Sequence, residues 1–95
     1  MFFKRLKEQR ENDMLNALKA ILPAAATLVS FDYNERVFGN IVVKIKLPKV
    51  MHTFVTDRGE IYHNGKMICD SSYHYTEKVD TFSKLIQLIK NELEL

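Results

Sequence analysis

Tyr62-His63-Asn64-Gly65-Lys66-Met67 is the stretch whose reading decides the fold. Asn-Gly supplies two adjacent residues that tolerate positive φ, as a two-residue type I′ hairpin turn requires. Such a turn sets a strand register: His63 faces Lys66, Tyr62 faces Met67, Ile61 faces Ile68 and Glu60 faces Cys69. Extended outward, the register pairs Thr56 with Tyr73 and Phe54 with Tyr75. One face then carries Phe54, Tyr62, Met67, Cys69, Tyr73 and Tyr75, an aromatic and apolar set suited to a core. The other carries Val55, Asp57, Ile61, His63, Lys66, Ile68, Asp70, Ser72 and His74. This pattern predicts one long hairpin over 52–76. Asp57-Arg58-Gly59 interrupts it, and reads either as a bulge in a bent strand or as a turn that raises the strand count to five. The bulge is the preferred reading.

Working outward, Thr27 to Asn34 alternates, with Thr27, Val29, Phe31 and Tyr33 on one face and Leu28, Ser30, Asp32 and Asn34 on the other. Ile41, Val43, Ile45 and Leu47 repeat the period against Val42, Lys44 and Lys46, predicting two half-buried strands. Residues 3–22 read as a helix: Phe3, Leu6, Met14, Leu18, Ile21 and Leu22 fall near one stripe, and Pro23 ends the ladder. Its first half is mostly charged, so residues 1–13 are expected to project or to pack only through Phe2, Phe3 and Leu6. Near the other end Phe82, Leu85, Ile86, Ile89 and Leu93 form a buried stripe behind Asp80, a suitable N-cap. The order is α-β-β-β-β-α. The expected fold is a single α+β domain over 1–95, a four- or five-stranded antiparallel meander with both helices on one face.

Composition bounds the function. A chain of 95 residues with 46% apolar content can bury one core, covering about two-thirds of its unfolded surface. The 14 Lys and Arg against 12 Asp and Glu leave a net charge of +2, too mild to imply nucleic acid by itself. The distribution is uneven: Arg36, Lys44, Lys46, Lys49, Arg58 and Lys66 make the middle basic, while Asp70, Glu77, Asp80, Glu92 and Glu94 make the tail acidic. The single cysteine rules out an internal disulfide. A reducing cytoplasm is the expected setting. The apolar run 17–26 follows Glu8, Glu11 and Asp13, which argues against a secretion signal. No run approaches the roughly 18 apolar residues that a membrane span needs.

His63, Cys69, His74 and Asp70 invite a metal reading. In the register above His63 and Cys69 point to opposite faces, and the spacing fits no zinc pattern. No metal and no cofactor are therefore expected, and Cys69 reads as a core-facing thiol without the activation a nucleophile needs. Asp57, Asp70, Ser72 and His74 share the outward face and could in principle do acid–base or nucleophilic work as a small hydrolase. They lack an oxyanion site and a pocket wall. Lys44, Lys46, Lys49 and Arg58 form a modest basic patch, but the strand aromatics all fall on the expected core face, leaving nothing to stack on bases.

The leading expectation is a small non-enzymatic binding protein, inhibitor, immunity-type protein or adaptor, whose partner is another protein or a second copy of itself. Its expected contact residues are Val42, Lys44, Lys46, Val55, Asp57, Ile61, Ile68 and Asp70 on the uncovered sheet face. Leu28 shares that face, and Phe2, Phe3 and Leu6 would form an amino-terminal anchor. A nucleic-acid-binding domain is the alternative, and a hydrolase ranks third.

Overall fold

The computed structural model describes residues 2–95, with side chains from Glu8 onward. Helix α1 (Phe2–Ile21) leads into strands β1 (Thr27–Asn34), β2 (Asn40–Lys46), β3 (Met51–Asp57), β4 (Glu60–His63) and β5 (Lys66–Cys69). A single helical turn, α2 (Tyr73–Thr76), and helix α3 (Thr81–Leu93) follow. The five strands form one antiparallel meander in the order β1-β2-β3-β4-β5. Helices α1 and α3 lie on the same face of it.

The core joins one stripe of each helix to one face of the sheet. Met14 and Leu18 come from α1, Leu85 and Ile89 from α3, and Ile41, Val43, Ile45, Phe54 and Ile61 from the strands. Each fully buried aliphatic or aromatic side chain of this kind contributes about 1.5–3 kcal/mol. Asp80 caps α3 as its position suggests, its carboxylate accepting from the Ser83 amide at 2.7 Å. Of the described part of α1, residues 8–10 and 12–13 are exposed, yet Arg10 reaches across to the Tyr33 hydroxyl at 3.5 Å and Glu35 at 3.4 Å. Arg10 thus ties this part of the helix to β1 and the turn after it. The side chains of Phe2, Phe3 and Leu6, the expected anchor, lie outside the described residues.

The Asn64-Gly65 turn forms as its chemistry requires, with φ of 50° and 86°, and pairs Tyr62 with Met67 and His63 with Lys66. Asn64 also closes the neighbouring ladder: its amide donates to the Thr53 carbonyl, and its side-chain oxygen accepts from the Thr53 amide, both at 2.8 Å.

The preferred bulge at Asp57-Arg58-Gly59 is corrected to a second two-residue turn. Arg58 and Gly59 take φ of 50° and 90°, and Asp57 pairs with Glu60. A tight reversal turns the chain over, so Phe54 lies opposite His63 and Val55 opposite Tyr62. Every assignment that ran one continuous strand through residues 54–62 is inverted on β4. Ile61 is fully buried and His63 faces the helices, while Tyr62 and Met67 point outward.

A register shift between Ile61 and Tyr62 then sets Ile61 opposite Cys69. The extra residue returns Cys69 to the core side and leaves Ile68 half-buried against the core. His63 and Cys69 therefore share a face, contrary to the sequence reading. A second shift between Leu28 and Ser30 turns Leu28 inward, opposite Ile45, and leaves Val29 as the exposed extra residue.

The long hairpin over 52–76 also ends early. Tyr73 and Tyr75 belong to α2 and pair with neither Thr56 nor Phe54. Tyr73 is buried, and its hydroxyl donates to the Gly59 carbonyl at 2.6 Å and lies 3.2 Å from the Thr81 hydroxyl. It thereby ties the β3–β4 turn to the start of α3, whereas Tyr75 is 83% exposed.

Candidate functional site

Among the described residues, nothing covers the sheet face away from the helices. The cross-strand pairs Asp32–Val42, Val42–Val55, Val55–Tyr62 and Tyr62–Met67 run as one row from edge to edge. Val42, Val55 and Tyr62 are half-buried by their neighbours, and Met67 is 47% exposed. On one side of this row lie Asp57 and Glu60, paired across β3 and β4. On the other lie Lys44 opposite Thr53, and beyond them Lys46 opposite Met51. The Tyr62 hydroxyl donates to Glu60 at 3.0 Å, and that bond, with lesser help from burial, raises the phenol above its ordinary value.

The structure thus brings together Val42, Lys44, Lys46, Val55 and Asp57 of the expected contact residues. It removes Ile61 to the core and Ile68 to the core margin. Asp70 leaves the sheet altogether: it lies in the turn before α2, accepts from the Ser72 amide at 2.9 Å, and is held below the usual carboxylate range by Ser72. Two contributors were missed, Tyr62 and Met67. Their signal was the Gly59 that permits a tight turn and inverts the alternation of β4.

Arg58 does not join Lys44 and Lys46. Its guanidinium lies 5.2 Å over the Phe38 ring and 3.5 Å from Asp57, at the opposite end of the strands. The four cations therefore do not make one track. Tyr62, however, is an outward aromatic on the lysine-bearing face, which the sequence reading had denied.

Asp57 and Ser72 do not share the outward sheet face, because Ser72 precedes α2. His74 turns its Nε2 to the Thr81 hydroxyl at 3.3 Å. Asp70 and Ser72 bond to each other, Asp57 lies beside Arg58 and His74 beside Thr81, so the four groups do not converge on one site.

At the far end of the core face, a second cluster gathers from three elements. His52 Nδ1 and His63 Nε2 are 2.8 Å apart, and His63 Nδ1 is 3.5 Å from a Glu92 carboxylate oxygen. The two rings are nearly parallel with centroids 5.1 Å apart, so with so short a nitrogen–nitrogen distance they meet edge to edge in a hydrogen bond. Phe54 stacks on His63 at 4.6 Å. Burial first, and His63 second, push the His52 imidazole below its ordinary value, against an opposing pull from Glu92. No group of three His, Cys, Asp or Glu side chains able to hold a metal forms among the described residues. Burial likewise pushes the Cys69 thiol up, away from the thiolate form that a nucleophile needs.

A shallow concavity of about 530 Å³ lies between α1, the β1–β2 turn and the start of α3, lined by Arg10, Met14, Tyr33, Phe38, Ile41 and Phe82 among others. Its polar groups are already occupied, Arg10 by Tyr33 and Glu35, and Asp80 by its cap. No helix among the described residues is long and apolar enough to cross a membrane. No family model matches the chain, and neither a curated protein nor a solved structure is significantly similar to it.

Proposed function

We propose that this chain is a small non-enzymatic binding protein, of the inhibitor, immunity-type or adaptor kind, that receives a protein partner on its uncovered sheet face. The observation that carries the reading is the row Val42–Val55–Tyr62–Met67, apolar across four strands, outside the core and flanked by charge on both sides. An apolar centre within a charged rim is the usual anatomy of a protein interface. Tyr62 adds a rigid aromatic side chain of the kind that dominates binding energy. The polar clusters described above are engaged in internal hydrogen bonds, which favours this face as the binding surface.

Val55→Asp tests the reading, because it charges the middle of the row on a surface outside the core. Tagged wild-type and variant chains, matched by circular dichroism, are exposed to host lysate and the retained proteins compared by mass spectrometry. A protein retained by the wild type and lost from the variant is the expected result. Retained sets that do not differ would overturn it. The outward Tyr62 near Lys44 supports a second reading, single-stranded nucleic acid on the same face. Oligonucleotide binding that weakens steeply with salt would favour it, and absence of binding at low salt removes it.

A further inference from the structure

Resting on the assignment of the uncovered face as a protein-binding surface, we propose that its occupant is a second copy of this chain. The two copies pack face to face about a two-fold axis that runs across the strands, along the Val42–Val55–Tyr62–Met67 row.

The argument is the order of charge along the strands. Side chains on one face of a strand recur every two residues, about 6.7 Å apart. Successive cross-strand rows therefore read acidic (Asp57, Glu60), apolar (Val42, Val55, Tyr62, Met67) and basic (Lys44, then Lys46). A two-fold axis across the strands turns the face over and reverses the strand direction. It leaves the position across the strands unchanged. The apolar row of one copy then covers that of the other, and Asp57 and Glu60 of each copy come over the lysine rows of its mate. A two-fold contact must be complementary to itself, and this face is. An axis along the strands would instead set acid on acid and lysine on lysine, so the charge order selects one of the two arrangements.

Two charges act against the pairing, and both are weak. Arg58 offsets part of the acidic end, but it leans onto Phe38 and Asp57. Asp32 meets its own copy at the open β1 edge, where it is exposed to water and lies diagonal to Lys44 on the next strand. Stacked sheets lie about 10 Å apart with strands within about 30° of alignment, a geometry that interdigitated Val, Tyr and Met side chains fill. A face of five strands, roughly 20 Å on a side at ordinary strand spacing, buries about 800 Å² in total if flat, below a standard interface and in the range of weak, transient contacts. A dimer that dissociates on dilution follows.

Two variants test the arrangement by analytical ultracentrifugation, each first matched to the wild type by circular dichroism. Lys44→Glu with Lys46→Glu makes both ends of the face acidic; Asp57→Lys with Glu60→Lys makes both ends basic. The wild type is expected to dimerise as concentration rises and to dissociate with added salt. Each variant alone should dimerise at least about tenfold more weakly, since like charges now face each other. The two variants mixed should form a one-to-one heterodimer. Met67→Asp, at an exposed position, should also weaken the wild-type dimer and keeps the test open if a charge variant fails to fold. A wild type monomeric at all concentrations, variants that dimerise like it, or a mixture that does not pair would each overturn the proposal. A monomer that still captures a protein in a Val55-dependent way defeats the second copy alone. A monomer with no such capture defeats the face assignment as well.

Discussion

His52 and His63 share one hydrogen bond, Nδ1 to Nε2 at 2.8 Å, and Glu92 stands 3.5 Å from the other nitrogen of His63. The shared edge has room for one proton. Were both rings imidazolium, two N–H groups would point at each other. The pair joins β3 to β4, and Glu92 links it to the last turn of α3.

This arrangement makes stability depend on pH in a definite direction. The folded His52 titrates below its ordinary value of 6.5, so the unfolded chain takes up the proton first as pH falls. Its contribution is complete above about 6.5 and is lost as pH drops through the folded value. Urea unfolding midpoints should decline from pH 7.5 to pH 5, and His52→Gln should flatten that decline. A midpoint independent of pH would contradict this. Glu92→Gln should lower the His52 value further in an NMR titration, because Glu92 is the group that raises it.

Tyr73→Phe removes the hydroxyl that bonds the Gly59 carbonyl at 2.6 Å and approaches Thr81 at 3.2 Å, leaving the ring in place. Gly59 is buried, so water cannot fully replace the lost donor. A destabilisation of about 1–3 kcal/mol is expected in urea, together with faster amide exchange in the β3–β4 turn. A change in exchange confined to α2 would show that the hydroxyl does not join these elements.

Gly59 and Gly65 have similar φ, 90° and 86°, but different surroundings. Alanine at Gly65 would meet open space and should cost only the backbone term, about 1–2 kcal/mol. Alanine at Gly59 would place its Cβ 3.0 Å from His74 Nε2 and 3.1 Å from Ser71 Cβ, and should cost more. His74→Ala should recover part of the difference, which a double-mutant cycle reads directly. Equal costs at the two glycines would contradict the packing.

Ile61 and Met67 exchange the roles that the periodicity alone assigns. Ile61 is fully buried and Met67 is 47% exposed. Ile61→Ala should destabilise the fold by about 2–5 kcal/mol, and Met67→Ala by no more than about 0.5 kcal/mol. Denaturation midpoints for the two variants check the face assignment of β4 and β5.

Much of the architecture was written in adjacent residues. Asn64-Gly65 determined a turn and the pairs next to it, because positive φ is a local property of those two residues. Asp80 and the apolar stripe behind it determined α3, and the alternation of Ile41, Val43 and Ile45 determined which side of β2 enters the core. Val42, Lys44 and Lys46 could accordingly be placed on the outer face from sequence.

What the tertiary structure decided depends on residues far apart in the chain. Arg58 accepts positive φ without the Asn or Asp that would advertise a turn, and its amide donates to the Asn40 side chain at 3.1 Å. That reversal inverted β4, drawing Ile61 and His63 in and sending Tyr62 out. The shifts at Val29 and Ile68 were likewise invisible, since a bulge is set by what the partner strand must bury. Tyr73 looked like a strand residue because its aromatic ring suits either element; its bond to Gly59 across the fold holds it beside the β3–β4 turn. The outer face thus took its lysines and valines from a legible alternation, and its tyrosine and methionine from turns that only the packed chain selects.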